Sequence, residues 1–351
     1  MVRWKRIGLA GLYLVPAAAL MGLGGGGFYL PGSQPNSAGY QFQSTELCSF
    51  CHGNSQYAYD PNTGGADRYF TSEHEPHFQW MGNMMAQSAR DPIFRAALTI
   101  AEQDVPGAGQ FCWRCHSPTA WLEGRSVPYD GSNMTDEDLK GVQCDVCHRM
   151  VNPLSEEGQS LSDRPVPGIG NGMYVISDDT AKRGPRQDSY ANHTWLYSEF
   201  HRSSSLCGVC HDVSNPLLAQ NPATQPPHTY FPIDRIYSEW KLSDYARRGV
   251  QCQTCHMPRV AGRAAGYDFL PVRPDLARHS FAGGNYWGLE ILPLFWNYDE
   301  READALIAGR YRAIEMLRQA AKLNIAEIPK RGNPIVFRVY NRTGHKFPSG
   351  D

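Results

Sequence analysis

The sequence lacks an excess of charge of either sign. Its 351 residues include 33 Lys and Arg against 35 Asp and Glu, and charged residues make up only 19% of the chain. A protein held to nucleic acid by a basic surface needs a clear positive excess, so we expect no nucleic-acid partner. A Ser/His/Asp signature is also missing. The glycine run at 24–27 is not a phosphate-binding loop, because no strand and Lys-Ser/Thr follow it in the required order.

Apolar residues are scarce for a chain of this length. Only 41% of the residues are hydrophobic, and the chain contains 34 Gly and 25 Pro, with a mean hydropathy of -0.47. These values predict many loops and a modest apolar core. The aromatic content of 11% is too high for a disordered tail. We therefore expect a bound group to supply additional apolar mass.

No cysteine stands alone in the sequence. The ten cysteines form five CxxC pairs, and a histidine follows each pair directly. This pattern is typical of c-type haem attachment, in which two thiols add to the porphyrin vinyl groups and the next residue is the proximal iron ligand. In chain order, motifs 1 to 5 are Cys48, Cys51 and His52; Cys112, Cys115 and His116; Cys144, Cys147 and His148; Cys207, Cys210 and His211; and Cys252, Cys255 and His256.

Three other interpretations of the cysteines fit less well. Zinc ribbons combine CxxC pairs two at a time, and five pairs cannot be divided by two. A thioredoxin-like redox motif occurs once rather than five times, and a disulfide framework seldom repeats one spacing throughout. We therefore expect five covalently attached c-type haems, or about 70 residues for each haem.

The predicted fold is mainly α, with extensive irregular loops wrapped around the five haems and little β-sheet. Each macrocycle is a large apolar body that replaces side chains in the core. Apolar spacing predicts helices over 84–103, 238–248 and 300–327. Asp299 and Glu302 form a capping-box pattern at the start of the last helix.

The N-terminal segment 1–30 has the pattern of an export signal. Arg3, Lys5 and Arg6 precede an uncharged stretch that runs from Ile7 to Leu30. This stretch is either a cleaved signal peptide or a retained membrane anchor, since its length also suffices to span a bilayer. In both cases we expect the remaining chain in the periplasm or outside the cell.

Two further segments follow the export segment. Residues 31–328 contain all five motifs and form the predicted multihaem cytochrome c domain. The sequence predicts a strand over residues 334–340, and a single strand is not stable alone. We therefore expect 329–351 to be the truncated start of a C-terminal β segment, or its strand to have a partner that the sequence does not reveal.

Seven histidines remain for the distal iron positions: His74, His77, His193, His201, His228, His279 and His345. Five irons need at most five of them, so every iron can have two imidazole ligands. Double ligation saturates the iron and suits electron transfer rather than substrate binding. Of His74 and His77, only one is expected to bind iron, and we take His77. The candidate distal ligands are therefore His77, His193, His201, His228, His279 and His345.

Four of these candidates share a local pattern. His193, His228, His279 and His345 each have an aromatic residue two positions later, on the same face of an extended chain. Such a pair can ligate iron and pack on the porphyrin together. Met84 and Met85 are alternative thioether ligands, although methionine in a helix more commonly packs in the core.

The chain resembles exported multihaem c-type cytochromes, the broad class that includes the tetrahaem cytochromes of nitrifying bacteria. The resemblance covers roughly 45–351 and rests on the five motifs and on the strings at 249–258, 279–285 and 343–350. It implies that His279 and His345 are distal ligands. It also implies a β-rich segment after the last string, and hence a longer natural chain.

We expect an electron-transfer protein without catalytic residues of its own. Its five haems would carry electrons between a membrane donor and a periplasmic or extracellular acceptor, with redox proteins as partners. One alternative is a multihaem oxidoreductase of the nitrite or hydroxylamine type, which needs an iron with an open position. Another is a haem-wire subunit of a membrane complex, a homo-oligomer or an extracellular filament.

Overall fold

The computed structural model describes residues 29–36, 41–53, 59–60, 65–66, 68, 70–327 and 335–348. Nearly all of the predicted signal peptide or membrane anchor lies outside these residues. Within them, no helix combines the length and apolar character needed to cross a membrane.

Most of the helices in the described part are short. Only one of them, α13, is longer than four turns. The α-helices are α1 (Thr45–His52), α2 (Pro76–Met81), α3 (Pro92–Asp104), α4 (Gly109–His116), α5 (Pro118–Leu122), α6 (Cys144–Arg149), α7 (Glu156–Leu161), α8 (Ser205–Gly208), α9 (Ile236–Leu242), α10 (Asp244–Arg247), α11 (Cys252–His256), α12 (Tyr286–Ile291) and α13 (Glu300–Ala320). Short 3-10 helices cover Asp138–Lys140, Glu199–Arg202, Pro216–Leu218, Pro227–Thr229 and Leu292–Leu294.

The strands of the described part form two-stranded sheets. All of these sheets are antiparallel except the pair β5 and β6, which is parallel. The pairs are β1 (Tyr59–Asp60) with β2 (Gly65–Ala66), β3 (Met150–Val151) with β4 (Val175–Ile176), β5 (Lys182–Gly184) with β6 (Trp195–Tyr197), β7 (Val213–Ser214) with β8 (Pro232–Asp234), β9 (Arg259–Gly262) with β10 (Arg273–Ala277), and β11 (Ala321–Glu327) with β12 (Val336–Asn341).

The largest apolar cluster joins three of the cysteine motifs. Trp113 lies inside motif 2, Val146 inside motif 3 and Val209 inside motif 4, and each is at most 1% exposed. All three pack in one cluster with Trp121 and Tyr174. The variable positions of these motifs therefore anchor the helices in the core, while the cysteines remain at its border.

All three predicted helices differ in part from the observed ones. The sequence predicted a helix over 84–103, but α3 begins at Pro92, where the Asp91 carboxylate accepts the Ile93 backbone N–H at 2.9 Å. Proline suits the first helical position because it lacks the N–H that would remain unpaired there. The prediction was thus wrong over 84–91, which forms turns.

The predicted helix over 238–248 is divided into α9 and α10. Ser243 separates them and caps the second, because its hydroxyl accepts the Ala246 backbone N–H. Gly249 follows with φ +73°, a conformation that glycine adopts without strain at a helix end. This turn leads the chain directly into motif 5.

The long helix α13 begins as predicted and ends earlier. The capping box of Asp299 and Glu302 is confirmed, with both reciprocal hydrogen bonds present. The prediction of helix over 321–327 was wrong, because these residues form β11 and pair with β12. Apolar and polar residues alternate along β11, a pattern of period two that favours a strand. The strand predicted over 334–340 therefore has a partner.

Candidate haem-attachment sites

Short helices present the cysteine motifs. Motifs 1, 2, 3 and 5 lie in α1, α4, α6 and α11, whereas motif 4 begins in α8 and extends beyond it. On a helix, positions i, i+3 and i+4 share one face. The helical backbone therefore turns both thiols and the imidazole of a CxxCH motif to one side, as attachment of a haem requires.

Four of the five motif histidines are held by a backbone carbonyl at Nδ1. An Nδ1–H donated to a carbonyl fixes the tautomer and leaves the Nε2 lone pair available for a metal. The pairs are His52 Nδ1 with Ala264 O at 2.7 Å, His116 Nδ1 with Ser88 O at 3.3 Å, His148 Nδ1 with Arg183 O at 2.8 Å, and His256 Nδ1 with Ala282 O at 2.7 Å.

Burial keeps these four imidazoles neutral. It lowers the pKa of His116 to about 4 and also lowers the pKa of His52, His148 and His256. Neutral imidazole is the form that binds a metal. All four residues nevertheless keep some accessible surface, so a bound group can reach them.

The fifth motif histidine, His211, has a different environment. Its Nδ1 lies 3.9 Å from Asp234 Oδ2, which is too long for a hydrogen bond, and 48% of its side chain is exposed. Among the described residues, no backbone carbonyl fixes the tautomer of His211 in the way that carbonyls fix the tautomers of the other four motif histidines.

Thiols of different motifs lie in contact, and all ten cysteines are free. These contacts show that motif 1 neighbours motif 3, that motif 2 neighbours motif 4, and that motif 4 neighbours motif 5. The order of the motifs in space therefore differs from their order in the chain. The contacting thiols are Cys48 with Cys144, Cys115 with Cys210, and Cys207 with Cys252.

The rings of two predicted distal ligands lie near the rings of motif histidines. The ring centroids of His148 and His279 are 6.2 Å apart, and those of His52 and His193 are 6.5 Å apart. Imidazole nitrogens bind transition metals at about 2 Å, so two imidazoles on one iron place their ring centres roughly 6 Å apart. Burial lowers the pKa of His279 to about 3.

His201 is also close to motif 3, but both of its ring nitrogens are already engaged. Its ring centroid lies 5.8 Å from that of His148. Its Nε2 is 2.8 Å from Cys147 O, and its Nδ1 is 2.9 Å from Ser198 Oγ. This environment fits a hydrogen-bonded structural histidine better than an iron ligand.

His77 and His74 occupy different positions near motif 1. A Cβ added to Gly53, the residue after motif 1, would lie 2.8 Å from the His77 Cβ. Burial lowers the pKa of His77 to about 4, and its Nδ1 has no hydrogen-bond partner. His74 is instead bonded locally, with its Nδ1 2.9 Å from Thr71 Oγ1. Of the two, His77 has the environment of a candidate ligand.

The remaining candidates are less closely placed. His345 lies near enough to motif 5 to contribute to the lowered pKa of His256, after the larger effect of burial. His228 is exposed on the 3-10 helix Pro227–Thr229. Met84 packs against an apolar cluster that includes Leu289, as expected for a core methionine.

Sequence reasoning missed a buried arginine inside motif 2. Arg114 is 2% exposed and donates to the carbonyls of Gly172, Leu30 and Pro31 at 3.2, 3.1 and 3.0 Å. Its guanidinium carbon lies 4.4 Å from the centre of the Trp121 ring. The variable positions of a CxxCH motif carry no pattern that could have indicated this role.

A buried ion-pair cluster inside motif 3 was also missed. The Asp145 carboxylate is fully buried and contacts Lys182, and its Oδ2 is 3.6 Å from Arg149 Nη1. Lys182 precedes Arg183, whose carbonyl lies against His148 Nδ1. The cluster thus fixes the strand that orients the motif histidine.

Within the described ranges, no three His, Cys, Asp or Glu side chains are grouped so as to hold a metal ion. A haem iron takes at most two protein ligands, because the porphyrin supplies the others. The chain matches no protein-family model, no curated protein and no solved structure.

Proposed function

We propose that the protein is an exported five-haem c-type cytochrome that transfers single electrons between redox proteins. The observation that carries this proposal is the fivefold CxxCH pattern, four of whose histidines have Nδ1 against a backbone carbonyl. Haem iron supplies the one-electron chemistry when it is bound.

Different side chains hold the cofactors in different ways. The ten cysteines are the covalent anchors, and the five motif histidines are the proximal ligands. The distances between ring centroids support His279 as the distal ligand at motif 3 and His193 as the distal ligand at motif 1. Imidazoles on both sides of an iron leave no position for substrate, which favours electron transfer over catalysis.

The contacts between motifs support continuous transfer. The thiol pairs connect motif 1 to motif 3 and connect motifs 2 and 5 to motif 4. Cys147 of motif 3 also lies near enough to Cys207 of motif 4 for their side chains to interact electrostatically. Each attachment site therefore has another site as a close neighbour, so electrons need no long step through protein.

One observation favours a second candidate function, the multihaem oxidoreductase. Among the described residues, the ring stacked on His116 is that of Phe94, at 3.7 Å between centroids, and no ring contact joins a further histidine to His116, to His211 or to His256. An iron at motif 2 with an open distal position would suit catalysis.

Electron paramagnetic resonance of the oxidised, haem-loaded protein tests the choice between the two functions. The electron-transfer proposal predicts that every haem is low-spin and that cyanide and nitrite leave the spectra unchanged. A high-spin haem that binds nitrite would contradict it and support the oxidoreductase. The variant Cys207→Ser/Cys210→Ser is the matched control for assignment, since it should remove the signal of motif 4 alone.

A further inference from the structure

Two segments of the chain meet beside motif 5. The Tyr245 hydroxyl donates to Arg342 O at 2.9 Å, and the Lys346 backbone N–H donates to Glu239 Oε2 at 2.9 Å. The Trp240 indole N–H donates to Val250 O at 2.8 Å, two residues before Cys252. The α9–α10 region and the loop 342–346 therefore form one surface at the entrance to this motif.

This surface, which we call the motif-5 face, is cationic. Its exposed cations outnumber the carboxylates beside them, Asp234, Glu239 and Asp244, by five to three, which gives a net charge of +2. Asp244 contacts Arg247, and Glu239 Oε1 lies 3.4 Å from Lys346 Nζ. The five cations are Lys241, Arg247, Arg248, Arg342 and Lys346.

Aromatic rings help to hold two of these cations in place. The Arg248 guanidinium carbon lies 5.9 Å from the centre of the Tyr245 ring, and Lys241 Nζ lies 5.8 Å from the centre of the Tyr237 ring. Cation–π contacts of this kind favour a fixed position over free rotation. Lys241 and Arg248 therefore have a preferred position on this surface.

The positive charge is local to one end of the chain. Residues 41–140, which carry motifs 1 and 2, contain 13 acidic and 6 basic residues, a net charge of -7. The complete chain has a net charge of only -2. Because exposed charges act over about 10 Å at moderate ionic strength, the motif-5 face attracts negative charge although the whole chain does not.

We propose that the motif-5 face is the docking surface for an acidic redox protein, which exchanges one electron with the site of motif 5. The inference rests on the proposed function. When the cytochrome is the donor, one ferrous iron becomes ferric and the acceptor of the partner gains one electron, while no bond or proton is transferred. Charge complementarity of this kind speeds association and orients the partner.

The trianion ferricyanide is a suitable probe of this face, and Arg248→Glu is the informative variant. Arg164→Glu is the matched control, because Arg164 is also exposed and lies over a tyrosine ring, 4.2 Å from the centre of Tyr29. Both substitutions change the net charge equally, but the control site belongs to the region beside motif 2.

We expect Arg248→Glu to lower the rate at which ferricyanide oxidises the reduced protein by at least about threefold at low ionic strength. The difference should disappear at about 0.5 M salt, where screening is strong. Arg164→Glu should leave the rate within about 1.5-fold of the wild type. The wild type and Arg164→Glu should also be retained on a carboxylate cation exchanger at low salt, and Arg248→Glu should be released earlier.

Equal effects of the two variants, or a rate independent of salt, would overturn the proposal. Binding to phosphatidylglycerol vesicles that Arg248→Glu abolishes, with unchanged ferricyanide rates, would overturn it by assigning the face to a membrane. If the chain carries no haem, the proposed function fails as well. If haem is present and Arg248→Glu behaves like Arg164→Glu, only the docking inference fails.

Discussion

The imidazole rings of His148 and His279 lie with their centroids 6.2 Å apart and their planes tilted by 28°. The two residues are far apart in the chain, and the fold brings them together at motif 3. His148 is oriented by the Arg183 carbonyl, 2.8 Å from its Nδ1. This relationship supports our proposal that the two imidazoles bind the same iron.

Substitution of His279 by alanine should leave one iron without its distal ligand. We expect about one haem in five to change from low-spin to high-spin in the electron paramagnetic resonance spectrum, while the covalent attachment is retained. His74→Ala is the control, because His74 is also shielded from solvent, at 9% exposed, but is bonded to Thr71. A fully low-spin His279→Ala protein would contradict the assignment.

Removal of the Asp145 charge should destabilise the protein strongly. Asp145→Asn leaves Lys182 and Arg149 without their carboxylate partner, and breaking a buried ion pair typically costs about 3 kcal/mol or more. Asp244→Asn, at an exposed pair with Arg247, should cost less than about 1 kcal/mol. Thermal unfolding measures both, and similar losses in the two variants would refute the structural role of the buried cluster.

Arg114 should raise the reduction potentials of two haems. No described carboxylate forms an ion pair with this buried guanidinium, and it contributes to the pKa shifts of both Cys115 of motif 2 and Cys210 of motif 4. A positive charge disfavours ferric iron, so Arg114→Gln should lower two of the five potentials. The expected change is about tenfold in the equilibrium constant, or about 59 mV for one electron.

Arg114→Lys is the control for this change because it retains the charge. Its potentials should stay closer to those of the wild type than the potentials of Arg114→Gln. Equal shifts in both variants would mean that hydrogen bonding to the carbonyls, and not the charge, sets the potentials.

An added side chain at Gly172 should destabilise the protein. Its φ is +64°, and an added Cβ would lie 3.0 Å from the Cys115 Sγ. Gly107 also has a positive φ, +92°, but an added Cβ there would contact nothing within 4 Å. Gly107→Ala should therefore show only the backbone cost of about 1 kcal/mol, whereas Gly172→Ala should unfold at lower temperature and attach haem less completely at motif 2. Equal unfolding temperatures and equal haem attachment in the two variants would show that the contact with Cys115 is unimportant.

Local chemistry accounts for the features that the sequence predicts well. The start of α13 depends on the side chains of Asp299 and Glu302 alone, and its capping box is confirmed. The end of this helix was predicted wrongly, because β11 exists through its pairing with β12 across the chain. Periodicity within one segment cannot reveal such a distant partner.

The same distinction applies to the candidate sites. The spacing of cysteine and histidine marks each attachment motif without knowledge of the fold. The carbonyl partners of four motif imidazoles and the contact of His201 Nε2 with Cys147 O depend on residues remote in the chain, and backbone groups have no sequence signature. The number of histidines therefore shows that enough candidate distal ligands exist, but it does not show which histidine belongs to which motif.

The intact mass of the exported, haem-loaded chain under denaturing conditions tests the central claim most directly. The ten paired cysteines predict a mass increase equal to five covalently bound haems per chain, and each CxxC→SxxS variant should remove one of them. A chain whose mass shows no bound haem, or whose cysteines hold zinc or disulfides instead, would contradict the account.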